Sequence, residues 1–117
     1  EAAKRQGMGI IIKRPIANGT WGADRSPSTY ADDYFTRAQV MQAADPVESL
    51  NMDRVSLAMA FVFSYAEVDT AIIGTRNPKH MRENLTRFQN GVTIDKDLRE
   101  EIETRFNSLG THWPQLG

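Results

Sequence analysis

Three observations in this sequence predict an α/β protein with a parallel sheet. Two short apolar runs rich in isoleucine, Met8-Gly9-Ile10-Ile11-Ile12 and Ala71-Ile72-Ile73, read as strands buried on both faces. Each run is followed by turn chemistry and then by a segment with helical spacing. Alternation of this kind specifies a layered parallel architecture rather than a bundle or a sandwich. Two strands are too few for a stable parallel sheet, and 117 residues make less than half of the roughly 250 used by an eight-stranded α/β barrel.

The elements follow in order. Residues 1–6 are mostly good helix formers and Gly7 suits a C-terminal cap, but neither an initiator Met nor an N-cap residue stands ahead of them. The expectation is a chain that starts inside a helix, as a fragment does. The first strand ends at Arg14-Pro15 and opens into Ala17-Asn18-Gly19-Thr20-Trp21-Gly22, which is turn chemistry extended by Ser26-Pro27-Ser28 into a long loop suited to a site. Residues 30–44 are expected to be helical, with Tyr34, Ala38 and Met41 on one side and Asp45-Pro46 as the stop.

A second helix is expected from Met52 to about Tyr65, largely buried because Val55, Leu57, Ala58, Phe61, Val62 and Tyr65 cover more than one stripe. The second strand falls at residues 68–74, and Asn77-Pro78 supplies the N-cap and first-turn proline of a third helix running through Met81, Leu85 and Phe88 to Asn90-Gly91. A last helix starts at Thr93 or Asp95, carries Leu98, Ile102 and Phe106 at a spacing of four, and ends at Gly110. The organisation is therefore a strand and loop over 7–22, a loop with helix over 23–51, helix, strand and helix over 52–90, and a helix with tail over 91–117.

Composition removes several classes of function. With 14 Lys and Arg against 15 Asp and Glu, the net charge of −1 provides no general field for nucleic acid or an anionic membrane, so an anion site has to be local. No stretch approaches the ~20 consecutive apolar residues of a membrane span, and the N-terminus lacks the pattern of a secretory signal. The cytoplasm is the expected location. The absence of cysteine excludes disulfides, thiolate metal sites and cysteine nucleophiles, and the distant pair His80 and His112 makes no zinc pattern, so no metal is expected.

The most informative stretch is Ala71-Ile72-Ile73-Gly74-Thr75-Arg76-Asn77-Pro78-Lys79-His80-Met81-Arg82-Glu83-Asn84. A strand that ends in Gly-Thr and feeds a helix N-terminus offers free backbone N–H groups and the positive end of the helix dipole to an anion. Thr75, Arg76, Lys79 and His80 add donors, and an arginine fork matches phosphate oxygens. Glu83 and Asn84, further along the helix, suit the amino group and ring nitrogens of an adenine. On the residues alone, a plain helix start with a solvated basic face explains the same pattern, most readily for Lys79 and Arg82. The second stretch, Lys13-Arg14-Pro15-Ile16-Ala17-Asn18-Gly19, lies where a parallel strand ends and barrel enzymes place ligand contacts, and by itself it is equally well a turn.

The run Ile-Gly-Thr-x-Asn-Pro-x-His-x-x-Glu-Asn resembles the aldo-keto reductase segment after the last barrel strand, which binds the 2′-phosphate and adenine of NADPH. The segment at Lys13 is similar to the family's seventh-strand motif, usually Tyr-Ser-Pro-Leu-Ala-x-Gly, and the apolar helix before the second strand matches as well. The resemblance extends from Gly7 to about Leu109 and implies the C-terminal part of a (β/α)8 barrel. It places Gly74, Thr75, Arg76 and His80 around the 2′-phosphate, Glu83 and Asn84 at the adenine, and Arg14, Ile16 and Asn18 along the pyrophosphate. Pro15 joins them in the cofactor loop. Lys13 stands where many members carry an aromatic that stacks on the nicotinamide, so the stacking surface departs from the family pattern.

By the same resemblance, Arg76 suggests NADPH over NADH. The parent protein is expected to be an NADPH-dependent reductase of aldehydes or ketones acting on a small carbonyl substrate. The family's catalytic tyrosine, lysine, aspartate and histidine belong to the other half of the barrel, and none of Tyr30, Tyr34 and Tyr65 sits in that motif. The chain alone is expected to be inactive, with that N-terminal half as its partner and self-association through open strand edges as a further possibility. The competing reading is a regulatory or interaction subunit that binds NADPH on the same fold. Trp21, Trp113 and His112 are candidates for a substrate cleft, although packing onto the body is the simpler role for each aromatic.

Overall fold

The computed structural model describes residues 1–21, 23–43 and 52–116. Its element order is α1 (Ala2–Arg5), β1 (Ile11–Lys13), α2 (Asp32–Ala43), α3 (Arg54–Phe63), β2 (Thr70–Ile72), α4 (Pro78–Gln89) and α5 (Lys96–Leu109), with short 3-10 turns at Ala17–Gly19 and Thr29–Ala31. The Asp45-Pro46 stop expected for α2, and Gly22 of the first turn, lie outside the described residues.

The strands pair in parallel, Ile11 opposite Thr70 and Lys13 opposite Ile72. Both therefore point their C-terminal ends the same way, and the segments that leave them emerge side by side. This is an α/β protein with a parallel sheet, as expected. Burial on both strand faces is not observed. Ile11 and Ile72 are each more than half exposed, whereas Ile12 and Ala71 on the opposite face are partly covered. Side chains alternate across a strand, so helices on one side of a two-stranded sheet cover only every second residue.

Local signals explain the helix starts. Asn77 Oδ1 accepts from the backbone N–H of Lys79 ahead of Pro78, and Asp95 Oδ1 accepts from that of Leu98. The start of α3 comes two residues later than Met52, because Asp53 caps it by accepting from the backbone N–H groups of Val55 and Ser56. Gly7 takes φ 72° just after α1, the left-handed conformation that lets the Gly7 and Met8 amides turn back onto Lys4 and Ala3.

The core centres on Met41 of α2, Leu57 of α3 and Ile102 of α5, with Trp21, Phe61, Leu98 and Trp113 packed around them. The apolar positions of α4 face outward: Met81, Leu85 and Phe88 are exposed, and the buried residue of this helix is Asn84. Phe106 of α5 is also exposed, resting its ring edge on Trp113.

Candidate functional site

Because β1 and β2 are adjacent and parallel, the chain leaving Lys13 and the chain leaving Ile72 form the two walls of one cleft of about 900 Å³. This is the carboxyl end of a parallel sheet, where α/β proteins hold ligands. All eleven residues singled out in the sequence line it. Lys13, Arg14, Pro15, Ile16 and Asn18 come from the β1 side, and Gly74, Thr75, Arg76, His80, Glu83 and Asn84 from the β2 side and α4.

The β2 wall is built around the start of α4. The Thr75 hydroxyl accepts from the Asn77 N–H at 3.1 Å and Asn77 in turn caps the helix, which fixes the turn carrying Arg76. Arg76 is exposed and forms no ion pair among the described residues. Glu83 approaches Lys79 at 3.8 Å, an exposed pair whose lysine stands outside the cleft. Asn84 is buried, and its Oδ1 accepts from Arg87 Nη1 at 3.3 Å. Arg87 Nε also donates to Asp53 Oδ2 at 3.3 Å, so the floor of the cleft is tied to the cap of α3. The Asp53 carboxyl is held below its ordinary range: burial pushes it up, but hydrogen bonds from the Ser56 side chain and backbone and from Arg87, with the guanidinium charge, outweigh that effect.

The β1 wall is a tight turn in which Arg14, Ala17 and Asn18 all adopt positive φ, at 57°, 47° and 57°. Asparagine tolerates this region and alanine and arginine do so at a cost of order 1–2 kcal/mol each. The Asn18 amide nitrogen is buried without a hydrogen-bond partner, a donor in the cleft wall that lacks an acceptor.

Among the titratable lining residues are four permanent or near-permanent cations, Lys13, Arg14, Arg76 and Arg87, against the single carboxylate Glu83. Such a wall favours a multiply anionic ligand, and Glu83 with Asn84 adds the donors and acceptors that a heteroaromatic edge requires. The volume lies within the ~300–1,000 Å³ range of small-molecule sites.

Sequence reasoning missed several residues here. Ser28 and Tyr30 enter the cleft from the long loop, signalled only by its turn composition, while Arg87 stands three and four residues beyond Asn84 and Glu83 on the same helical face. Trp21 and Trp113 pack on the core and His112 is exposed, its ring edge against Trp113; none of the three lines this cleft, while Trp21 lines a neighbouring apolar cavity.

A second cavity of about 720 Å³ shares Pro15 and Ile16 with this cleft and is lined further by Leu57, Phe61, Tyr65, Ile102 and Phe106 among others. It carries one carboxylate, Glu103, and no cation. Tyr65 donates to Glu103 at 2.7 Å, and burial together with that carboxylate pushes its phenol up to about 12. This tyrosine stays protonated at neutral pH and does not line the cationic cleft.

Among the described residues no group of three potential metal ligands exists, and no helix is long and apolar enough to cross a membrane. No family model matches the chain, and no characterised protein is significantly similar to it.

Proposed function

We propose that the chain is the cofactor-binding, C-terminal portion of an aldo-keto reductase barrel and that its cleft takes NADPH. The observation that carries this reading is the convergence of two motifs, some sixty residues apart in sequence, on one cationic cleft at adjacent strand ends. Arg76 and the N-terminus of α4 suit a 2′-phosphate, Glu83 and Asn84 an adenine, and Arg14 with the orphaned Asn18 amide a pyrophosphate. Bound NADPH would supply hydride to an aldehyde or ketone. The residues described here bind and orient the cofactor, and the family's proton-donating tyrosine has no counterpart in the matched motifs, so binding is the role proposed for this chain.

Calorimetric titration tests the reading. The chain is expected to bind NADPH more tightly than NADH, and Arg76→Ala is expected to weaken NADPH about 10- to 100-fold with little change for NADH, since a charge-assisted contact contributes about 1.5–3 kcal/mol. Equal affinity for the two dinucleotides, or no binding by a folded chain, would count against it.

The exposed Ile11 and Ile72 favour a second statement, that the open sheet face is covered in the working protein. The proposed cover is the other half of the barrel, and in its absence a second copy. Light scattering of the chain alone is expected to show concentration-dependent association; a clean monomer at high concentration would contradict this.

A further inference from the structure

The apolar cavity beside the cationic cleft has a polarity of its own. Phe61 on α3, Tyr65 just beyond it, and Glu103, Phe106 and Asn107 on α5 all line it, with Trp21 from the loop after β1. Glu103 is the one charged group in that lining among the described residues. Its Oε1 accepts from the Tyr65 hydroxyl and lies 3.5 Å from Arg99 Nε. Arg99 itself does not line the cavity: it donates through Nη1 to the Ser64 carbonyl at 3.2 Å, with its guanidinium carbon 5.4 Å from the centre of the Tyr65 ring. Both contacts of Glu103 fall on Oε1. Its Oε2, and the Asn107 amide one helical turn further on, have no hydrogen-bond partner among the described residues.

A carboxylate oxygen set among aromatic rings is chemistry for a cation. Ring faces carry negative charge density that attracts an ammonium within about 6 Å, more strongly where water is excluded. An anion would meet like charge at Glu103, and a purely apolar ligand would cover Oε2 without giving it a donor. Trp21 Nε1 is enclosed by protein, so Trp21 offers the cavity ring carbon rather than a donor. The volume of about 720 Å³ is that of a small-molecule site. We propose that this cavity is a second ligand site, for an arylalkyl amine whose ammonium group donates to Glu103 and Asn107 while its ring lies among Trp21, Phe61 and Phe106. The site is opposite in sign to the cleft with which it shares Pro15 and Ile16, and it does not depend on the dinucleotide reading.

Three probes of one shape and different charge test it by calorimetric titration of the chain: tryptamine, the neutral alcohol tryptophol and the anion indoleacetate. Tryptamine is expected to bind about tenfold more tightly than tryptophol, because its hydrogen bond to the carboxylate is charge-assisted on both sides, and indoleacetate is expected to bind most weakly. Glu103→Gln keeps an acceptor for Tyr65 and removes the charge. It should weaken tryptamine about tenfold and leave tryptophol nearly unchanged. Phe106→Leu, which keeps apolar bulk and removes a ring face, should weaken tryptamine roughly two- to fivefold and tryptophol less. Ala58→Trp fills the cavity and is expected to abolish tryptamine binding. Should overpacking unfold that variant, Glu103→Gln, a nearly isosteric change on a half-buried residue, still decides the matter. Equal affinity for tryptamine and tryptophol, tryptamine binding indifferent to Glu103→Gln, or an unaltered chain that takes up no tryptamine would each overturn the proposal.

Discussion

Leu57→Ala is expected to lower the unfolding free energy by about 3 kcal/mol, within the roughly 2–5 kcal/mol range for truncating a buried leucine. Leu57 is only 1% exposed and joins α3 to both Met41 of α2 and Ile102 of α5. Among the described residues, few other side chains are so completely enclosed. A small domain has only about 5–15 kcal/mol of stability in total, so a loss of this size leaves little margin. Urea unfolding followed by circular dichroism measures it, with the midpoint falling and the slope unchanged. A loss below about 1 kcal/mol would mean that the three helices do not share one core.

Asp53→Ala is the second large effect, expected at about 2 kcal/mol. An N-cap contributes roughly 0.5–2 kcal/mol, and Asp53 also receives the Ser56 hydroxyl and Arg87. The carboxylate is about half exposed, so its ion pair with Arg87 adds only a modest share. Its depressed pKa sets the sign of the pH dependence. A carboxyl whose folded value lies below its unfolded value near 3.8 contributes stability above that pH and loses it as pH falls through the folded value. Asp53→Asn, which keeps a competent cap and removes the charge, should therefore cost less than Asp53→Ala at neutral pH and show a smaller loss of stability between about pH 5 and pH 2. Identical acid profiles for the asparagine variant and the unaltered chain would remove the charge from the account. Because Arg87 also donates to Asn84, Asp53→Ala should in addition loosen the floor of the cleft.

These two residues show what a sequence does and does not display. The caps at Asn77-Pro78 and Asp95 were legible because a cap is a contact between residues two or three apart. The parallel pairing was legible from alternation alone. Which face of a strand or helix is buried depends on neighbours: Met81, Leu85 and Phe88 form a regular stripe that faces outward, while the polar Asn84 is enclosed, and Ile11 and Ile72, expected inside, are exposed. Tyr34 was expected on one helical side with Ala38 and Met41. The structure buries those two and gives the Tyr34 hydroxyl to Arg14, twenty residues away. The links from Asp53 to Arg87 and from Arg14 to Tyr30 are likewise long-range, and no spacing rule reaches them. The eleven cleft residues were legible as two separate stretches, one with anion-binding character and one a turn whose ligand role rested on the family resemblance; their meeting follows from the strand register, which places both at one end of the sheet.

The central claim is that those two turns form one ligand site. Amide hydrogen exchange of the chain with and without NADPH tests it most directly. The account predicts that residues 13–19 and 74–84 gain protection together, at the same NADPH concentration, and that both gains diminish in Arg76→Ala. Protection confined to one of the two segments, or appearing instead on α3 and α5 around the apolar cavity, would contradict it.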